Sequence, residues 1–298
     1  MSLLVCALPG NERYAAGLRA RLGARALRLE TRAFPDGESY VRLAGDCRGR
    51  DVAFVCTLND PDPKFLGLLF AARAARELGA RRIGLVAPYL AYMRQDKRFR
   101  RGEAISSAHF AALLSKAFDW LVTVDPHLHR HAALGEIYAI PSRTVAAAPL
   151  LSAWIRARVR RPLVIGPDGE SAQWAAAVAA GADAPCVVLK KRRRGDRDVR
   201  IEFPDLSSWR DRTPVLVDDI ISSGVTLAAA AARLRALRFA APVCAAVHAV
   251  FAPGARERLR AAGYRTIATT DTIAHPTSAM RTAPLVAEAI GRLAARRR

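Results

Sequence analysis

Two adjacent carboxylates, Asp218 and Asp219, follow the apolar run Val215-Leu216-Val217 and precede Ser222-Ser223-Gly224-Val225-Thr226. A carboxylate pair accepts hydrogen bonds from a vicinal diol, and hydroxyls with backbone N–H groups at the start of a helix receive a phosphate. The stretch reads as a sugar subsite beside a phosphate subsite. Helix capping by Ser or Thr is the simpler alternative. Capping accounts for one residue here, not for two acids together with a run of small residues.

A second strand-like run, Val122-Thr123-Val124, ends in Asp125 with His127, His129 and His131 behind it. Asp and neutral His together hold Mg2+ or its waters, or orient a phosphate. His127, closest behind the acid, is favoured, while His129 and His131 read equally well as structural. In Val164-Ile165-Gly166-Pro167-Asp168-Gly169, Asp168 is either a further metal-side carboxylate or a Pro-Asp-Gly turn residue.

Two segments supply cations. Lys190-Lys191-Arg192-Arg193-Arg194 uses two of only five lysines in the chain. Such a loop is suited to closing on a triphosphate and stabilising transferred charge, although a solvated charged face has the same composition. Pro88–Arg98 combines Tyr89 and Tyr92 with Arg94, Gln95 and Asp96, a set suited to nucleotide contact or to an oligomer contact.

The elements that must position these groups alternate. Short apolar strands are expected near Leu3–Leu8, Val52–Thr57, Arg82–Ala87 and Leu121–Val124, then near Leu163–Gly166, Cys186–Leu189, Pro214–Val217, Val243–Val250 and Thr266–Ala268. Helices are expected near Glu12–Leu22, Phe65–Leu78, Ser106–Phe118, Ser171–Ala180, Leu227–Leu237 and Arg256–Ala262. Alternation of this kind calls for an α/β fold with mainly parallel sheets, whose ligands sit beyond the carboxyl ends of the strands. With 298 residues the chain accommodates two domains. The proline-containing stretch Ile140–Pro149 is the expected junction, giving domains 1–143 and 144–298, with a last helix over 283–298 open to packing on either.

Bulk composition narrows the function further. No apolar run approaches the roughly 18 residues of a membrane span, and the five cysteines have no disulfide or zinc spacing, which suits a reducing cytoplasm. The formal charge of +20 rests almost wholly on arginine spread through an alanine-rich chain, without the interleaved aromatics of a single-strand-binding surface. No nucleic acid and no membrane partner is expected; an anionic small molecule is.

These residues, in this order, resemble the ribose-phosphate pyrophosphokinases. The resemblance runs through Phe34-Pro35-Asp36-Gly37-Glu38, Arg48–Val52, Pro88–Arg98, Val122–His127, Gly166-Pro167-Asp168, Lys191-Arg192-Arg193 and Val215–Thr226. It implies two phosphoribosyltransferase-type, Rossmann-like domains, Mg2+ as cofactor, and transfer of the diphosphate of ATP to the anomeric hydroxyl of ribose 5-phosphate. Phe34, Asp36 and Glu38 would reach the adenine from a neighbouring subunit of a homo-oligomer, and Arg94, Gln95 and Asp96 would contact ATP. His127 and Asp168 would lie on the metal side, Lys191 and Arg193 in the catalytic loop, and Asp218, Asp219, Ser222, Ser223, Gly224, Val225 and Thr226 at the ribose 5-phosphate site. The chain departs from the family pattern at Ser222 and Val225, at Glu170-Ser171, and at Leu128-His129-Arg130-His131. A phosphoribosyltransferase shares the acid pair and its loop, and an inactive regulatory paralogue would share the fold. The duplicated layout, Arg94-Gln95-Asp96 and Lys191-Arg192-Arg193 favour the pyrophosphokinase.

Overall fold

The computed structural model describes residues 3–128, 130–194 and 198–295, with the side chains of 170, 191–201, 294 and 295 outside that description. The chain forms two compact units, Met1–Val145 with Thr282–Arg298, and Ala146–Arg281.

The first unit runs β1 (Leu3–Ala7), α1 (Glu12–Leu22), β2 (Arg25–Ala26), β3 (Arg28–Ala33), β4 (Ser39–Ala44), β5 (Asp51–Val55), α2 (Asp62–Glu77), β6 (Arg82–Ala87), α3 (Ser106–Ala117), β7 (Trp120–Val124) and β8 (Ser142–Val145). Six strands pair in parallel in the order β2-β1-β5-β6-β7-β8. The runs β5 and β7 are buried at every position, as strands covered on both faces must be. Helix α1 stops at Gly23, whose left-handed φ of 59° lets its N–H return to the Arg19 carbonyl. Across the β6–β7 pair, Gly84 faces Trp120 so closely that a Cβ on Gly84 would fall 1.8 Å from the indole, so only glycine fits there.

The second unit repeats the plan. It runs α4 (Ala148–Arg158), β9 (Pro162–Gly166), α5 (Ala172–Gly181), β10 (Cys186–Val188), β11 (Lys190–Arg194), β12 (Asp198–Glu202), β13 (Thr213–Ile221), α6 (Val225–Ala236), β14 (Val243–Ala249), α7 (Ala255–Ala261), β15 (Thr266–Thr270) and β16 (Ser278–Met280). Its parallel sheet has the order β10-β9-β13-β14-β15-β16. In each unit an antiparallel hairpin, β3–β4 or β11–β12, is inserted between the second and third strands of the sheet. Helix α8 (Ala283–Ala295) belongs to the first unit, where Tyr14 and Thr282 hydroxyls lie 2.8 Å apart.

Several sequence expectations give way here. Asp218, Asp219 and Ile220 are not in a loop: β13 continues to Ile221, because Asp218 and Ile220 pair with Ala246 and His248 of β14. Val225 and Thr226 open α6 instead of ending the loop. The cationic run Lys190–Arg194 is a hairpin strand, not a loop. Arg143, at the expected junction, lies within β8, the edge strand paired in parallel with β7, and the first unit's main segment ends two residues later at Val145.

Candidate active site

In the second unit, β9 and β13 are parallel neighbours, and the groups of interest lie at their carboxyl ends. Asp168 caps the turn after β9: its Oδ1 accepts the Ser171 N–H at 3.2 Å, and the Ser171 hydroxyl donates to the Asp168 carbonyl at 2.7 Å. The turn role and a ligand role are compatible, since capping occupies one carboxylate oxygen. Asp218, half-buried on β13, accepts the Asp219 N–H at 3.0 Å. Burial pushes its carboxyl well above the ordinary range, and the charges of Asp219 and then Asp168 push the same way. The negative charges of Asp219 and Asp168 thus both act on Asp218, a setting in which a divalent cation or sugar hydroxyls are favoured.

The Ser222-Ser223-Gly224 turn follows. Its carbonyls are held from outside: Ala252 N–H donates to Ser222 O at 3.1 Å, and the Arg258 guanidinium donates to Ser223 O. Gly224 adopts φ 70° and precedes α6, so the turn delivers Ser222, Ser223 and Thr226 around a helix N-terminus. Val225 is 56% exposed at the first position of that helix. Behind Asp218 sit buried Cys244 and Tyr264, the latter donating to the Leu227 carbonyl at 2.7 Å. Nothing in their spacing pointed to them or to Arg258, since they come from β14, α7 and the segment after α7.

Lys191 and Arg193 occupy β11, with Ile201 and Val199 as their partners across the hairpin; their side chains, like the whole of Gly195, Asp196 and Arg197, lie outside the described residues.

The first unit holds the remaining candidates. Asp125 follows β7 with φ 32°, a strained value for a non-glycine residue, and donates its N–H to Val145 O at 3.0 Å. His127 lies half-buried two residues on. His129 lies outside the described residues, and His131 faces the Glu136 carboxylate at 3.1 Å. In the segment after β6, Gln95 accepts the Ser106 hydroxyl at 2.6 Å, which turns its amide nitrogen away from that contact. Asp96 pairs with Arg130 at 3.3 Å, and Arg94 is exposed.

At the tip of β3–β4, the chain reverses through Gly37 at φ 90°, with Gly37 N–H donating to Phe34 O at 2.9 Å and Glu38 N–H to Asp36 Oδ1 at 3.1 Å. Phe34, 38% exposed, and Tyr40 meet edge to face, and the Arg32 guanidinium lies 4.4 and 4.6 Å from their ring centres. Arg32 and Tyr40 were not visible as site residues in the sequence. Arg32 and Tyr40 are cross-strand partners and Phe34 begins the turn between the strands, a grouping that only becomes meaningful once the hairpin register is known.

Among the described residues no group of three or more His, Cys, Asp or Glu side chains is close enough to enclose a metal ion. An all-protein cage is not what Mg2+ requires, since it binds through one or two carboxylates plus phosphate and water. The cysteines are free thiols, and burial pushes those of Cys6 and Cys56 up to about 12, which leaves them protonated and unsuited to nucleophilic work.

Two parallel α/β units of one topology, one with an acid pair leading into a Ser/Thr turn, define a protein of the phosphoribosyltransferase type. Comparison with known proteins makes the assignment specific. Residues 3–117 match the N-terminal domain of ribose phosphate pyrophosphokinase, and residues 133–279 match the phosphoribosyl transferase domain. The ribose-phosphate pyrophosphokinase of Methanopyrus kandleri is 34% identical over 294 residues, covering 98% of this chain and 99% of that protein. That of Saccharolobus solfataricus is 34% identical over 253 residues, 83% of this chain and 85% of the other. The crystal structure of phosphoribosylpyrophosphate synthetase from Mycobacterium smegmatis superposes with a TM-score of 0.86 at 26% identity, covering 98% and 99% of the two chains. The chain belongs to the ribose-phosphate pyrophosphokinase family, enzymes of the diphosphotransferase class.

Proposed function

We propose that this chain carries out the reaction of its family: the anomeric hydroxyl of ribose 5-phosphate attacks the β-phosphorus of ATP in line, a new C1–O–P link forms, the bond to the α-phosphate oxygen breaks, and AMP leaves. Similarity along nearly the full length of a relative named ribose-phosphate pyrophosphokinase supports the reaction. The single observation that carries the residue assignment is the acid field of Asp218, Asp219 and Asp168 beside a backbone-anchored Ser222–Gly224 turn.

In this reading the second unit takes ribose 5-phosphate. Asp218 and Asp219 accept the ring hydroxyls, and the N–H groups and hydroxyls of Ser222 to Thr226 receive the 5-phosphate. Val225, exposed at the start of α6, stands among these groups. The first unit takes ATP: Arg94 and Gln95 meet the nucleotide, and Phe34 with Asp36 and Glu38 meets an adenine held by a neighbouring subunit. The exposure of Phe34 supports a role outside its own unit, and a homo-oligomer follows. Asp168 and His127 stand on the metal side, and Mg2+ when bound neutralises charge on the polyphosphate. Lys191 and Arg193 stabilise the charge that develops on the transferred group, so no covalent nucleophile is needed. The free thiols fit a reducing cytoplasm, and among the described residues no helix is long and apolar enough to cross a membrane.

Purified protein given MgATP and ribose 5-phosphate should form AMP strictly dependent on the sugar, and Lys191→Ala should slow it by orders of magnitude with its melting temperature unchanged. AMP formed equally without the sugar, or not at all, would overturn the reading. Light scattering of the purified chain tests the oligomer, a monomer being the adverse result.

A further inference from the structure

Asp96 and Arg130 form an unequal ion pair. Asp96 lies in the segment after β6 and Arg130 in the segment after β7, two parallel neighbours, so both leave the sheet at adjacent carboxyl ends. The Asp96 side chain is 7% exposed and that of Arg130 is 47% exposed, with Nε of the arginine 3.3 Å from the carboxylate. The acid is therefore inside and the cation points its unused half at solvent. An arginine held through Nε keeps its two terminal nitrogens, a planar fork that matches two oxygens of one phosphate.

A buried carboxylate without a partner is costly, so Asp96 fixes the guanidinium in place before any ligand arrives. Two neighbouring cations are committed elsewhere: Lys97 sits 4.9 Å over the Phe99 ring, and Arg98 donates to the Glu103 carbonyl at 3.0 Å. They add positive field without presenting a fixed fork. A carboxylate in Asp96's position would repel a polyphosphate directly; paired, it presents a cation to one instead.

We propose that Arg130 binds the terminal phosphates of the donor nucleotide and that Asp96 acts as its positioning residue. The inference rests on the reading of this unit as the ATP side and adds a residue that no resemblance assigned.

The test is calorimetric titration of MgATP and of AMP into wild type, Arg130→Ala, Arg130→Lys and Asp96→Asn, with steady-state kinetics beside it. Arg130→Ala is expected to weaken MgATP at least tenfold and AMP less than twofold, and to raise KM for ATP while leaving KM for ribose 5-phosphate unchanged. Asp96→Asn should shift MgATP in the same direction by a smaller factor. Arg130→Lys keeps a cation opposite Asp96 but loses the fork, so it should still discriminate against MgATP severalfold if Arg130→Ala does not fold. Unchanged MgATP affinity in either Arg130 variant, or MgATP and AMP falling together, overturns the proposal. Failure of the wild type to make AMP would instead strike the reaction, and the ATP-against-AMP comparison would still decide Arg130.

Discussion

Gly224 is packed against Leu259: a Cβ on Gly224 would lie 3.3 Å from two carbons of that leucine and 3.4 Å from the Ala255 carbonyl, with φ at 70°. The turn after β13 is thereby seated on α7. Gly224→Ala should destabilise the unit by about 1–2 kcal/mol, the cost of a left-handed non-glycine residue, and raise KM for ribose 5-phosphate more than KM for ATP. Thermal denaturation and paired kinetics check both; equal rises in the two KM values would separate the turn from the sugar phosphate.

Asp218 gives a prediction with a definite sign. Its folded-state pKa is raised, by burial first and then by Asp219 and Asp168. The unfolded value is about 3.9, so the native state holds the extra proton, and stability falls as pH rises from that value through the folded one. Asp218→Asn removes the penalty. The variant should melt above wild type near pH 8, converge toward it near pH 4, and lose activity by orders of magnitude; a variant melting below wild type at pH 8 would contradict the acid field.

Asp51 has the opposite sign. Burial alone would raise it, but hydrogen bonds and charge from Arg82 and Arg81, the latter at 2.9 Å, outweigh burial and hold it below its ordinary value. Its contribution is present above the unfolded pKa and is lost as pH falls through the folded one. Asp51→Asn should cost about 1–2 kcal/mol at pH 7, less than a fully buried pair because Arg81 and Arg82 keep part of their side chains in solvent, and the difference from wild type should fade at strongly acid pH in urea titrations.

Arg32 locks Phe34 against Tyr40 through two cation–π contacts. Arg32→Ala should raise KM for ATP by about two- to fivefold, the worth of such a contact at an exposed site, with kcat and the melting temperature unchanged. A kcat loss at constant KM would place Arg32 in the chemistry instead.

The regular elements were legible because their cores are. Glu12–Leu22 and Arg82–Ala87 appear as the periodicity predicts, since apolar residues at helical or strand spacing have only one way to be buried. The hairpins were not: β3 is exposed or half-buried throughout and charged at alternate positions, and β11 is all Lys and Arg, so neither carries an apolar signal. The end of β13 was hidden for a related reason. Aspartate disfavours strands on its own, and only pairing with β14 holds Asp218 in one.

The sequence by itself determined the α/β class and the family, and it nominated the acids, cations and small residues of the candidate site, because those follow from residue type and local spacing. Tertiary structure alone decided which of them lie together. Asp168 reaches Asp218 because β9 and β13 are sheet neighbours, and Asp96 meets Arg130 because β6 and β7 are. Such contacts are set by strand order, and strand order is chosen by the packing of the whole sheet, not by any stretch of chain short enough to read.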